Sequence, residues 1–485
     1  MMRRTGLPIE LGPISNGEYA PSAPSPVARE AARRARASIE DGIRRTGMSR
    51  REFLAFCGSA TVLSALAACS SEAAISSTST TATAGGPTST GPGGTFTVPD
   101  EATVEPDAAE EALGGDELIV DVQTHLLELD LADGDDGQFF GSGFPQASCG
   151  LADRRSCFSI DQWIQLVLDG SDTSVAVLSA VPITADPSPL STEVMARARD
   201  EAAAAGCDGR VLIQGEAFPN TGAPADVFAG MADLVTRFDL AAWKTYTHAG
   251  TGWFLDDHDP DGLPVGRSFL EQVRASGVPV VAVHKGLSGR NPFSSPVDIG
   301  PAASDHPDLS FLVYHSGYES GVTEGPYDPA APNGGIDRLV ASVAAAGIGP
   351  EGNVYAELGS TWFNLMRDPT QAAHALGKLL VALGPDRILW GTDSIWYGSP
   401  QGQIEAFRAF EISAEFQERF GYPALTDDVK ARILGRNAAD LHQLDGPTCS
   451  PADEETRLAT AGRVALGPST AAEARAVFRA AHPWF

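Results

Sequence analysis

Between Asp116 and Asp393 the chain alternates eight short apolar runs with longer stretches of helical period, and this alternation restricts the fold more than any other feature. The runs are "ELIVDVQ", "TSVAVLSAVP", "GRVLIQGEA", "LAAWKTYT", "VPVVAVH", "LSFLVYH", "NVYAEL" and "RILWGTD". Stretches such as "STEVMARARDEAAAAG", "ADVFAGMADLVTRF", "SFLEQVRASG", "GIDRLVASVAAAG" and "PTQAAHALGKLLVALG" lie between them, and several stop at Gly as helices do. Strand alternating with helix predicts parallel strands joined by crossovers. Eight such units over about 275 residues match the size of a (β/α)8 TIM barrel, about 250 residues. A doubly wound open sheet is the competing α/β architecture, but no Gly-x-Gly-x-x-Gly turn follows any of the runs. The barrel is therefore expected over 116–445. The segments "QGQIEAFRAFEI", "TDDVKARILGRNAADLHQL" and "TAAEARAVFRAAH" read as a closing helix and a C-terminal helical extension over 446–485.

The N-terminal part is of another kind. Residues 48–71, "MSRREFLAFCGSATVLSALAACSS", have paired arginines, a short run of apolar and small residues, and then a Cys. The run is too short for a stable membrane span and reads as a signal sequence. Ser49-Arg50-Arg51-Glu52-Phe53-Leu54 resembles the twin-arginine export motif, and Leu66-Ala67-Ala68-Cys69 resembles a lipobox. Residues 1–69 are thus expected to be a leader, with 1–47 either preceding the true start near Met48 or forming a disordered arm. The Ser/Thr/Gly/Pro tract over 70–115 is expected to be a flexible tether, because it holds few large apolar side chains to offset its ordering entropy. Together these features imply a periplasmic or outer-face lipoprotein anchored through Cys69. In such a compartment Cys149 and Cys157, eight positions apart, either pair as a disulfide or remain thiols.

The chain carries 34 basic and 63 acidic residues, a net charge of −29. That sign opposes nucleic acid and anionic lipid as partners, leaving a small-molecule substrate and, for the membrane, only the lipid anchor. The oligomeric state is not encoded in any such pattern.

A TIM barrel keeps its chemistry at the C-terminal ends of its strands. There the first run ends in Gln123 and His125, the fourth in Lys244, Tyr246 and His248, the fifth in His284, the sixth in His315 and the eighth in Asp393. Residues 121, 123 and 125 share one face because strand side chains alternate. A lone His at a strand end is more often a hydrogen-bonded core residue than a ligand. Three of nine histidines and an Asp gathered at one end of a barrel point to a metal.

"VDVQTH", "VAVHKG", "FLVYHSG", "RILWGTDS" and "ILGRNAADLHQL" resemble the strand motifs of the amidohydrolase-related family. That branch of the metal-dependent amidohydrolase superfamily holds both hydrolases and aminocarboxymuconate-semialdehyde-type decarboxylases. The resemblance spans about 116–444 and implies that His125, His284 and Asp393 are metal ligands, with His315 near the activated water. It would place His at 123, where Gln offers only a neutral amide oxygen, a weaker donor to the expected Zn²⁺. Asp393 is then expected to carry the proton and His315 to orient the water or stabilise developing charge. A strand-four Lys is carbamylated in some superfamily members. For Lys244 the expectation is a free amine that binds a substrate carboxylate or oxyanion, or pairs with Glu216 or Glu357. Tyr246, His248, Trp253, Arg290 and Trp396 are the expected substrate contacts, and Phe254, Tyr318 and Glu319 stand in the same long loops. The expected activity is metal-dependent hydrolysis of a small ester, lactone or amide. Non-oxidative decarboxylation of a carboxylate-bearing substrate and a metal-free ligand-binding barrel are the alternatives.

Overall fold

In a computed structural model, residues 7–78, 91–129, 141, 143–182, 188–205, 208–259, 262–287, 291–332 and 334–444 are described. The strands, in chain order, are β1 Gly94–Phe96, β2 Val120–Thr124, β3 Val175–Leu178, β4 Val211–Glu216, β5 Ala242–Tyr246, β6 Val280–His284, β7 Ser310–Tyr314, β8 Val354–Glu357, β9 Ile388–Leu389 and β10 Phe410–Ile412. Strands β2 to β9 pair in parallel in sequence order, each falling on one of the eight apolar runs, with β2 extending one residue past its run to Thr124. Val122 N–H donates to Trp390 O at 3.0 Å and Asp393 N–H to Gln123 O at 2.9 Å, so the last strand returns to the first. The fold is the expected (β/α)8 barrel.

Both faces of these strands are buried, which is why they read as near-continuous apolar runs. Val280, Ala282 and Leu312 join the interior cluster, whereas Val281, Val283, Phe311 and Val313 pack outward with Phe269, Leu270 and Val273 of the helix Gly266–Ser276. The five expected crossover helices form, with local signals doing the delimiting. Ser191 caps Thr192–Ala204, Asp368 caps Pro369–Leu383, and Gly277 at φ 78° ends Gly266–Ser276.

The structure departs from two expectations about the N-terminal part. Residues 91–113, expected within the tether, carry β1, which pairs antiparallel with β10, and the helix Pro106–Leu113. Phe96 is 3% exposed, its ring 5.5 Å from that of Phe410. One aromatic and a few small residues suffice because a distant strand supplies the partner edge. Phe410–Ile412, read as the end of a helix, is for the same reason extended.

The leader is also ordered. Its helices are α1 Pro26–Thr46, α2 Arg50–Phe56 and α3 Gly58–Thr78, followed by α4 Pro106–Leu113. Helix α1 buries the stripe Ala28, Ala31, Ala35 and Ile39, while Leu63 and Leu66 of α3 and Leu7, Ile9 and Leu11 before α1 join the same core. Small residues at helical spacing let α1 and α3 approach closely, a packing signal hidden inside what reads as an arm. The pair Ser49 and Glu52 forms a capping box at the start of α2. Among the described residues no single helix is long and apolar enough to cross a membrane; α2 and α3 pass that test only as a pair bent by 64°. Cys149 and Cys157 are joined in a disulfide. Cys207, Cys449 and the expected extension over 446–485 lie outside the described residues.

Candidate metal centre at the barrel mouth

The strand ends bring the expected donors together in two triads. Gln123, His125 and Asp393 make the first. His125 Nε2 lies 3.1 Å from Asp393 Oδ1, Gln123 Nε2 lies 3.1 Å from the same oxygen, and the two nitrogens are 3.4 Å apart. His284 and His315 begin the second, with His284 Nδ1 and His315 Nε2 separated by 3.2 Å. Its third member was not expected. Glu18, from the leader, places Oε1 at 3.3 Å from His284 Nδ1 and Oε2 at 3.7 Å from His315 Nε2.

Each imidazole is oriented from behind. His125 Nδ1 faces Ser179 O at 2.6 Å, His315 Nδ1 faces Gly359 O at 2.7 Å, and His284 Nε2 faces Gly286 O at 3.1 Å. A carbonyl oxygen only accepts, so the nitrogen beside it carries the hydrogen and the other nitrogen of each ring turns its lone pair to the triad. This is the arrangement that metal-binding histidines require. Burial and neighbouring positive charge hold His284 well below the usual imidazole range, and burial holds His315 at about 4. Both are neutral at pH 7.

Donors to a tetrahedral Zn²⁺ at 2.0–2.1 Å stand about 3.3–3.4 Å from one another. Most separations in both triads fall near that value. The carboxamide of Gln123 supplies a second test of fit: its Oε1 is buried without a hydrogen-bond partner among the described residues, on the side of Glu357. Turned over, the amide would donate Nε2–H toward that carboxylate and present Oε1 to His125 and Asp393 as a ligand. The residues thus fit a divalent cation, with the strand-one histidine replaced by an amide.

The two triads are joined by a second leader residue, Asn16. Its Nδ2 donates to Asp393 Oδ2 at 2.7 Å, to Glu18 Oε2 at 2.6 Å and to Ser360 Oγ at 3.1 Å. Burial works against charge on Asp393, but His125, His315 and Ser360 hold its carboxyl at about 2. Glu18 goes the other way, pushed up to about 8 by burial and by the nearby Asp393 charge. Its side chain remains 24% exposed.

Lys244 projects into the same space. Its Nζ is buried with no hydrogen-bond partner among the described residues and stands 3.6 Å above the Tyr314 ring and 4.6 Å from the Tyr246 ring. Burial drops its amine to about 7 against the attraction of Glu18, Glu357 and Asp393. Among the described residues Lys244 forms no ion pair with Glu216 or Glu357, and Glu357 instead accepts His315 N–H at 2.9 Å and the Gly359 N–H.

Several backbones here are forced. His315 (φ 67°), Ser316 (φ 52°), Ser360 (φ 54°) and Asp393 (φ 62°) are left-handed without being glycine, each at a cost of about 1–3 kcal/mol. Such residues persist where the surroundings over-determine them, and all four line this site.

The other expected contacts divide. Trp396 stacks on His125 at 5.1 Å, Tyr246 on His284 at 4.9 Å, and the His248 ring lies 4.6 Å from His284. Trp253 instead packs against Phe269 on an outer helix, and Glu319 pairs with Arg338 at 3.0 Å. Phe254 packs on Phe293, and Tyr318 is buried with its backbone N–H on His315 O at 2.8 Å. Arg290 lies outside the described residues. A cavity of 720 Å³ between the leader and the helix Gln401–Ala409 is lined by Pro8, Glu52, Phe56 and Glu405, and by none of the donors.

Glu18, Asn16 and Ser360 are the site residues that strand-end reasoning does not reach. The first two sit in a segment with no barrel periodicity, and Ser360 lies past the end of β8, where the run "NVYAEL" has stopped.

Comparison with known proteins gives one family match, to the amidohydrolase model, over residues 120–444, two thirds of the chain. No curated protein matches. Among solved structures, an uncharacterised TIM-barrel protein from Bordetella bronchiseptica is 13% identical, with 71% of this chain and 99% of that chain covered and a TM-score of 0.42. A 5-carboxyvanillate decarboxylase from Novosphingobium aromaticivorans with bound manganese is 13% identical, with 68% and 97% covered and a TM-score of 0.43. An amidohydrolase from Burkholderia multivorans with bound zinc is 15% identical, with 67% and 99% covered and a TM-score of 0.36. These structural likenesses are too distant to assign residues or a reaction. On the family match, which spans the barrel and all the strand-borne donors, the chain belongs to the amidohydrolase family.

Proposed function

We propose that this protein is a metal-dependent hydrolase of a small ester, lactone or amide. The observation that carries the reading is the orientation of the three histidines, each placing one nitrogen against a carbonyl and the other toward a carboxylate. Gln123, His125 and Asp393 would hold the cation in the first triad, with His284 falling in the second; when bound, the cation lowers the pKa of water toward 7 and polarises a carbonyl.

The chain's own groups then divide the remaining work. Asp393, ionised at neutral pH, is a strong ligand but a weak proton acceptor. Lys244, with its amine near 7, is better matched to move a proton, and in its charged form binds a substrate carboxylate or oxyanion. His315 orients the water from its Nε2. Trp396 and Tyr246 hold the imidazoles they stack on and keep bulk water from them.

Decarboxylation is the second reading. It is favoured by Lys244 and by Glu18, whose carboxylate already rests against the His284 and His315 nitrogens as a substrate carboxylate would. Turnover of lactone, ester and aryl-carboxylate panels with product analysis separates the two: carbon dioxide release without net hydrolysis would favour decarboxylation. A metal-free binding barrel is the outcome if protein purified without added metal holds less than about a tenth of an equivalent and gains no activity with Zn²⁺ or Mn²⁺. Zn²⁺ is the ion we propose, on the basis of nitrogen and carboxylate donors at tetrahedral spacing.

Twin-arginine export with acylation of Cys69 is supported by the paired arginines, the lipobox-like run and a disulfide of the kind that persists in oxidising compartments. Cys69 is only 4% exposed, so acylation requires α3 to leave the barrel first. Labelling with a fatty-acid analogue, lost in Cys69→Ala, tests this.

A further inference from the structure

We propose that Glu18 is a metal ligand: together with His284 and His315 it forms a second cation subsite, so the leader completes the metal centre from outside the barrel. The inference rests on the reading that the barrel holds a divalent cation, and extends it to a donor that no strand carries; it concerns the chain that retains the residues before Cys69, not the form acylated there.

The geometry is direct. Separations of 3.2, 3.3 and 3.7 Å among His284 Nδ1, His315 Nε2 and the Glu18 oxygens trace one face of a coordination polyhedron of about zinc size. The two imidazole nitrogens that face each other there are the unsubstituted ones, since their ring partners donate to Gly286 O and Gly359 O. Two imidazole lone pairs and an ionised carboxylate in mutual contact repel unless a proton or a cation lies among them, and a cation satisfies all three at once.

The delivery of Glu18 is equally built. Ser15 Oγ accepts from Gly17 N–H at 2.9 Å and bonds Tyr19 O, and Asn16 Oδ1 accepts from Glu18 N–H at 3.0 Å, folding Ser15–Tyr19 into a tight loop. Gly17 sits at φ 89°, where an added Cβ would lie 2.1 Å from the Phe144 ring. Arg367 Nη1 holds the loop's approach by donating to Gly12 O at 2.8 Å, and the Tyr19 hydroxyl meets that of Tyr397 at 3.3 Å. Asn16 then ties the Glu18 carboxylate to Asp393 of the first triad.

The test is Zn²⁺ titration of the full-length, metal-stripped protein beside Glu18→Gln, His284→Ala and Gln123→Ala, with visible spectra of the Co²⁺ forms. Loss of an outer-shell partner alone weakens metal binding about 10- to 100-fold, so Glu18→Gln should weaken one binding event at least ~10-fold and alter the Co²⁺ d–d bands. It should leave the event that Gln123→Ala weakens in place. Unchanged affinity and spectrum in Glu18→Gln, with binding lost in His284→Ala, would overturn the role of Glu18 while leaving the metal reading standing. Tighter binding in Glu18→Gln would overturn it too, showing the leader to be an occluding plug. A wild-type protein that takes up no metal would sink both readings together.

Discussion

Gln123 is where this chain departs most from its family resemblance, and the cost of that departure is measurable. An imidazole at 123 would reach the position that the amide now holds 3.4 Å from His125 Nε2. Gln123→His should therefore tighten Zn²⁺ at the first triad by about tenfold or more, read by competition with a chromogenic chelator. Gly359 guards the same carboxamide. A Cβ there would lie 2.2 Å from Gln123 Oε1 and 2.5 Å from Glu357 Oε1, both buried and hemmed in. Gly359→Ala should weaken metal binding while far-UV circular dichroism stays unchanged. Lys244 carries the pH prediction. Its charged form is the anion binder, so KM for a carboxylate-bearing substrate should rise as pH climbs through about 7, and Lys244→Met should flatten that profile at a high KM. At this scale His125, His284, His315 and Asp393 were legible because each ends an apolar run. Glu18 was not, because a carboxylate in a polar stretch looks like any solvated acid until the chain folds back.

Among elements, the eight barrel strands were readable from period and length alone, since parallel strands buried on both faces leave continuous apolar runs. The pair β1 and β10 was not. Each is three residues long, and their register, Gly94 opposite Ile412 and Phe96 opposite Phe410, joins segments more than 300 positions apart. Phe96→Ala removes a buried ring between β10 and the leader, and should lower stability by about 3 kcal/mol in urea unfolding. If the cost is below about 1 kcal/mol, 91–113 behaves as the tether that its composition suggests.

For the molecule as a whole, the leader is packed as core yet also reads as a segment that an export pathway would remove. One titration reports on that contact. Burial against the leader, together with Asp172, pushes Glu405 up to about 7, and Ser59 of α3 is among its hydrogen-bond partners. The folded state therefore holds a proton that the unfolded chain releases near 4.5. Glu405 favours folding least at high pH, so melting temperature should fall as pH rises from about 5 to 8, and Glu405→Gln should reduce the fall. Equal pH dependence in the two proteins would mean that the leader does not bury this carboxyl in solution.

What the amino-acid order determined by itself was the barrel and the set of groups at its mouth, because strand period, helix caps and strand ends are properties of a few neighbouring residues. Only the tertiary structure decided how those groups divide into two triads, and that Asn16 and Glu18 enter between them. Asn16 meets Asp393 across 377 positions of sequence. No local pattern encodes a contact of that kind; it exists only once the barrel has closed and the leader has packed along its rim.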